Sequence, residues 1–357
     1  MSNKLRIALL GAEHPHCDFW QPVFRDAEHT ELTGIWSRTA GLDAQKAAQY
    51  ACRHWSDRDA LIEASDAVAI CASTVEHAEL IEAAAVRGKK ILCEKPIADS
   101  LDACQRIETV VEQTGAYYMQ GFPKRFDPIN HKIKALLDNG AIGTVNLVRI
   151  RHGHPYAALG PAFCTTWFAD PAQAGGGALL DEGVHGADLL HWLFGVPSKV
   201  NCTISTHTAG LAVEDVAVAV FHYPNGMIGE ITSSWLFLAA DNSVEIYGSD
   251  GSIILTGVDL GSRDLTHGAY LKHYRRPADH PLTPQTLSER RWTIAEEVPQ
   301  FKRATPDFHA NVARAFIECA SRNTPPPVTL QDGLVATRMI LSAYQAAASA
   351  AVESIVI

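Results

Sequence analysis

Hydrophobic and polar positions follow two different rhythms along this chain, and the change comes near Pro128. Up to about Gly121, short apolar runs alternate with stretches that repeat alanine or leucine at three- and four-residue steps. The runs Leu5 to Leu10, Glu31 to Trp36, Ala67 to Cys71, Lys90 to Cys93 and Ala116 to Gln120 predict strands, and Asp43 to Tyr50, Glu76 to Arg87 and Leu101 to Thr114 predict helices. Ser100 suits a helix N-cap, while Gly88 and Gly115 stand where helix ends want a positive φ. Strand-helix alternation of this kind calls for parallel strands joined by right-handed crossovers, so an α/β, doubly wound parallel sheet is expected. Ligands of such sheets bind beyond the carboxyl ends of the strands.

Past Pro128 a helix to Asp138 and a strand from Val145 to His152 lead into a loop rich in glycine, proline and aromatics. A helix from about Asp181 to Phe194 follows, then strands Asn201 to Thr206, Val216 to Tyr223, Met227 to Trp235 and Ser243 to Tyr247. Pro224-Asn225-Gly226 and Gly248-Ser249-Asp250-Gly251 are tight turns, which make the strands they join antiparallel. The second half is therefore expected to be an α+β domain on a largely antiparallel open sheet. Gly257 to Gln300 is polar and contains prolines, consistent either with a loop near a substrate or with a surface excursion. Pro325-Pro326-Pro327 separates helices Asp307 to Arg322 and Gln331 to Ala347. The expected division is residues 1–122 and 123–357.

Length changes the picture little: 357 residues suit two domains, and 47% hydrophobic with 20% charged residues is ordinary globular usage. A formal net charge of −10 argues against a nucleic-acid or anionic-membrane binder, because those surfaces would repel it. Met1 to Arg6 runs directly into an apolar strand with no leader pattern, and no apolar run reaches spanning length, so a cytoplasmic protein is expected. The eight cysteines are scattered without a C-x-x-C pair and read as reduced thiols.

The turn after the first strand reads Gly11-Ala12-Glu13-His14-Pro15-His16, where a dinucleotide fold usually places G-x-G-x-x-G so that backbone amides approach a pyrophosphate. Only the first glycine is present, which leaves a plain strand-to-helix turn as an equal reading. His14 and His16 with Glu13 have the look of a metal pair, as do His152 and His154, but without a clear third ligand we expect no metal. At the end of the second strand Ser37-Arg38 stands where an acidic residue would bind ribose hydroxyls; a hydroxyl beside a guanidinium suits a 2′-phosphate, which favours NADP(H) over NAD(H).

Two further motifs carry chemistry. Glu94-Lys95-Pro96 follows a buried strand and emerges at the carboxyl edge of the sheet. Gly175-Gly176-Gly177 leads into Asp181, His185 and Asp188, which fall at i, i+4 and i+7 on one helix face. A histidine between two carboxylates can be held in one tautomer with its pKa near neutrality, as a general base requires. Satisfied structural polar groups would produce the same spacing.

Together, Glu94-Lys95-Pro96, the glycine-led D-x-x-x-H helix, Ala67 to Ser73 with His77, Gly121 to Pro128 and Asp332-Gly333-Leu334 resemble the Gfo/Idh/MocA oxidoreductases over almost the whole chain. The resemblance implies an N-terminal Rossmann domain, a C-terminal domain whose open sheet makes a homodimer or homotetramer, a nicotinamide cofactor, and a small sugar, polyol or related hydroxy substrate. It implies catalytic roles for Lys95, Asp181 and His185. Cofactor contacts would come from Gly11, Ala12, His14, Ser37, Arg38, Cys71, Ser73, His77, Glu94 and Lys95. Arg125 and Trp167 would join Asp181 and His185 around the substrate, with Phe163 and Tyr156 as further pocket candidates. A nicotinamide-dependent glycosidase and a noncatalytic dinucleotide or sugar sensor share much of this pattern.

Overall fold

The computed structural model describes residues 4–238, 242–256, 270–276, 293–299 and 305–356. The first sheet contains β1 (Leu5–Leu10), β2 (Thr30–Trp36), β3 (Ala67–Ile70), β4 (Lys90–Glu94) and β5 (Tyr118–Gly121), in the order β2-β1-β3-β4-β5 and all parallel. Its central strands are apolar without alternation because helices cover both faces. One face packs on helices His77–Ala85 and Leu101–Thr114 through Leu80, Ile81, Ala84, Cys104 and Ile107. The other packs on helix Cys17–Asp26 through Cys17, Trp20 and Phe24, at helical spacing. That helix did not emerge from the sequence pattern, since Pro22 interrupts it and histidines precede it.

The second sheet runs β13-β12-β11-β10-β6-β9-β8-β7-β14, from β6 (Val145–Gly153), β7 (Lys199–Ser205), β8 (Val216–His222), β9 (Ile228–Ser234), β10 (Ser243–Gly248), β11 (Gly251–Thr256), β12 (Tyr270–Arg275), β13 (Thr293–Pro299) and β14 (Glu353–Ser354). Among the described residues only β6 and β9 pair in parallel in this sheet; the remaining neighbours are antiparallel. Strand β8 alternates inward Ala217, Ala219 and Phe221 with outward residues, the signature of a sheet covered on one side. Helices Val184–Phe194 and Leu330–Ser349 provide the cover. The outward side leaves Val218, Ile228 and Tyr247 exposed. β12 and β13 lie within the stretch from Gly257 to Gln300 that the sequence left open; residues 257–269, 277–292 and 300 are outside the described residues.

The chain does not stay on one side of the division at 122. Helix Thr305–Arg322, expected with the C-terminal domain, buries Val312, Ala313, Phe316 and Ala320 in the N-terminal core beside helix Cys17–Asp26. Helix Leu330–Ser349 then faces both cores, giving Leu334 and Leu341 to the first and Val335, Met339, Ile340 and Ala343 to the second. This double seating holds the carboxyl edge of the parallel sheet against the helix that carries Asp181 and His185.

Candidate active site

Strand β4 delivers Glu94 and Lys95 to the sheet edge, and three contacts hold them there. The Glu94 carboxylate accepts from the Lys95 amide at 2.8 Å, the Gln120 side chain donates to the Cys93 and Glu94 carbonyls at 3.0 Å, and His77 Nδ1 donates to the Pro96 carbonyl at 2.8 Å. His77 therefore shapes the turn behind Lys95 from a fully buried position. The Lys95 ammonium lies 2.6 Å from Asp181 Oδ1 and 3.0 Å from the Asp181 carbonyl. Burial works against its charge, but Asp181, Glu182 and Glu94 outweigh that cost and hold the lysine protonated.

Asp181 belongs to a widened π-type turn, Leu179–Gly183, that runs straight into helix Val184–Phe194. Glu214 clamps the turn's start, accepting from Gly177 and Leu179 amides at 2.9–3.1 Å and from the Tyr344 hydroxyl at 2.6 Å. A Cβ on Gly177 would lie 2.0 Å from the Glu214 carbonyl, so the glycine run there serves approach by another chain segment. Trp235 Nε1 donates to Asp181 Oδ2 at 3.3 Å, a contact no sequence signal announced. Burial pushes the Asp181 carboxyl up while Lys95 pulls it down.

His185 sits one turn on, buried, with Nδ1 lacking a hydrogen-bond partner among the described residues and its ring edge-on to His152 at 5.3 Å. Burial, then Lys95 and His152, hold its pKa well below the usual histidine range. This corrects the expectation of a histidine between two carboxylates. The widened turn moves Asp181 to Lys95, and Asp188 binds Arg125 at 2.7–3.0 Å. Arg125, expected at the substrate, also meets Asp332 at 3.0 Å through its guanidinium and lies over Trp192, so it ties helices together inside the protein.

The turn after β1 keeps its glycine for a physical reason. Gly11 has φ +79° and a Cβ there would lie 2.3 Å from Ala72 Cα. The Glu13 carboxylate folds back to the end of β2, accepting from the Ala12 amide at 2.8 Å and from the Ser37 hydroxyl. Arg38 bonds Glu76 at 2.8 Å and Glu79 at 2.6 Å, and Ser73 bonds Glu76 at 2.8 Å. Trp167 crosses from the second domain, its indole N–H donating to the Glu13 carbonyl at 2.9 Å and its ring stacked on Phe168. Cys71 contributes its carbonyl to the His14 amide and keeps its thiol buried. His14 packs edge-on against His16, whose Nδ1 lies 2.7 Å from Glu94 Oε1.

Residues 5–122 match the oxidoreductase family with an NAD-binding Rossmann fold, and residues 130–254 match the GFO/IDH/MocA C-terminal domain. The chain belongs to the Gfo/Idh/MocA family of oxidoreductases. Inositol 2-dehydrogenase of Rhizobium meliloti is 29% identical over 79% of this chain and 78% of its own length. Myo-inositol 2-dehydrogenase of Thermotoga maritima is 26% identical over 76% and 74%. The solved levoglucosan dehydrogenase complex with NADH and L-sorbose superposes with a TM-score of 0.81 at 21% identity, over 99% of both chains, which speaks for the fold. For a Gfo/Idh/MocA member the residues at the sheet edge suit the dinucleotide at both ends: Gly11 keeps the tight bend, Glu13 offers carboxylate oxygens beside β2, and Lys95 stands at the far end.

Proposed function

We propose that this protein is a nicotinamide-dependent dehydrogenase or reductase that interconverts a secondary alcohol and a carbonyl on a sugar, polyol or related hydroxy compound. The observation that carries the reading is the Lys95 ammonium held 2.6 Å from Asp181, with His185 on the following turn, its Nδ1 without a hydrogen-bond partner among the described residues. When bound, the nicotinamide supplies a hydride acceptor or donor at its ring. Lys95 would bind the substrate hydroxyl oxygen and stabilise the negative charge that grows there as the proton leaves. His185, neutral at physiological pH, would receive that proton, while Asp181, steadied by Trp235, orients the ammonium. Burial of Lys95 and His185, with Asp181 only slightly exposed, limits bulk water and strengthens each contact.

For the nucleotide, two contacts support NAD(H) over the NADP(H) expected from Ser37 and Arg38. The Arg38 charge is matched by Glu76 and Glu79, and the Glu13 carboxylate beside Ser37 would repel a 2′-phosphate while accepting from ribose hydroxyls. The exposed apolar residues on the outer sheet face support a homodimer or homotetramer, and eight free cysteines support a cytoplasmic setting. Residues 1–122 would hold the nucleotide, and 123–357 the substrate, with 305–322 returning to the first core.

Calorimetric titration with NADH and NADPH, followed by a polyol and sugar panel, tests this. Lys95→Ala and His185→Ala should each lower turnover roughly a hundredfold or more in folded protein. Near-normal turnover in both rejects the assignment, and no affinity for either nucleotide returns the chain to the sensor reading.

A further inference from the structure

The first sheet's edge concentrates imidazoles that hydride transfer does not use. Sequence alone paired His14 and His16 with Glu13, and the fold sends the Glu13 carboxylate away to Ser37 and the Ala12 amide. It brings Glu94 in its place: ligand atoms of His14, His16 and Glu94 all lie within 4.8 Å of one another. A fourth group comes from far along the chain. Helix Thr305–Arg322 seats His309 with its ring centroid 4.0 Å from that of His16, and its Nδ1 is buried with no hydrogen-bond partner among the described residues. His309 is 1% exposed, Glu94 is fully buried and His14 is 4% exposed.

We propose that His14, His16 and Glu94 bind one divalent transition-metal ion of the zinc class at the carboxyl edge of the parallel sheet, with His309 as part of the surrounding wall. The donor set is two imidazoles and one carboxylate, with solvent completing the shell, which suits zinc or a neighbouring first-row ion and suits neither calcium nor magnesium. Each donor has support from behind. His14 Nδ1 accepts from the His16 amide at 3.2 Å, leaving Nε2 for the metal. Glu94 Oε2 accepts from the Lys95 amide, leaving Oε1 on the His16 side. Phe19 stacks on His309 at 5.0 Å, and Trp167 and Phe168 flank His14, giving the apolar wall that metal sites keep around their ligands. The opposing charge is Lys95, and Asp181 already neutralises it at 2.6 Å. A second cluster, His152, Glu182 and His185, is geometrically similar, but it contains the histidine assigned to proton transfer.

The test uses the full chain, stripped with a chelator and dialysed against cobalt(II) or zinc(II). We expect one ion per chain by elemental analysis and a visible cobalt absorption of four- or five-coordinate character. His16→Ala and Glu94→Gln should each weaken cobalt affinity by about a hundredfold or more, at least the loss seen for removing an outer-shell partner. His152→Ala should leave it unchanged. Circular dichroism identifies any variant that fails to fold, and His14→Gln, which keeps the side-chain size and should weaken cobalt affinity alike, then replaces it. Absence of stoichiometric metal overturns the proposal, and so does binding unaltered in His16→Ala and Glu94→Gln or lost in His152→Ala. The metal readouts are taken without nucleotide, and the turnover of Lys95→Ala in the parent background is read separately, so failure of the metal proposal leaves the oxidoreductase reading in place.

Discussion

Replacing Lys95 by methionine separates the stability of the site from its chemistry. The ammonium is 3% exposed and Asp181 is its partner at 2.6 Å. Removing one member of a buried pair leaves the other charge uncompensated and typically costs about 3–5 kcal/mol. Asp181 can relieve part of that cost by taking a proton, which burial already favours, so the lower end, roughly 3 kcal/mol, is expected. Turnover should fall about a hundred- to a thousandfold, the scale for deleting a donor that stabilises a developing oxyanion. In Lys95→Met combined with Asp181→Asn, the buried charge disappears and the amide oxygen can still accept from Trp235 Nε1, so stability should return to within about 1 kcal/mol of the parent. Activity should not return. Urea unfolding followed by tryptophan fluorescence gives the first quantity, and initial rates with the best substrate of the panel give the second. The reasoning fails if Lys95→Met loses less than about 1 kcal/mol, or if turnover recovers alongside stability in the double variant.

Arg125→Met should lower stability by about 3–5 kcal/mol through the stranded Asp188 carboxylate, seen as a lower melting temperature, with KM for substrate unchanged; a raised KM at full stability would restore Arg125 to the substrate. Glu13→Gln should shift nucleotide preference toward NADPH by about tenfold, or roughly 1.4 kcal/mol, read from paired titrations, and an unchanged ratio would remove Glu13 from ribose recognition. Burial raises the Asp332 carboxyl, yet His191, Arg125 and the Thr329 amide overcome it and hold the pKa well below the ordinary value. Its stabilisation is therefore complete above the unfolded pKa of about 4 and is lost as pH falls toward the folded value, on the order of 2 kcal/mol. Asp332→Asn should flatten the acid limb of a plot of urea midpoint against pH, and an unaltered limb would contradict the assignment.

The parallel sheet was legible because its strands are buried on both faces and its helices repeat on one: β1, β2, β3 and β4 fall within a residue or so of where the apolar runs placed them. The antiparallel half was legible through its turns, since Asn225-Gly226 and Asp250-Gly251 announce the hairpins that join β8 to β9 and β10 to β11. What escaped was long-range. Nothing local in Thr305–Arg322 distinguishes a helix that covers its own sheet from one that crosses back to the first. The parallel pairing of β6 with β9 is equally invisible, because no turn joins them.

The site divides along the same line. Lys95, Asp181 and His185 could be named because each sits in a short motif, but their partners could not. An ideal helix puts Asp181, His185 and Asp188 on one face, whereas the π-type turn at Leu179–Gly183 rotates Asp181 away from that register and frees Asp188 for Arg125. Glu13 gives the clearest case. Read locally it spoils a glycine loop, yet its side chain reaches the end of β2 and places there the carboxylate whose absence from Ser37-Arg38 had suggested the other nucleotide. The same reach withdraws it from His14 and His16 and leaves those imidazoles to Glu94, a residue 78 positions from His16 that only the parallel packing of β1, β3 and β4 brings alongside. In a doubly wound sheet, the chemistry at the carboxyl edge is set by which strand ends are neighbours, and that order is a property of the fold rather than of any motif.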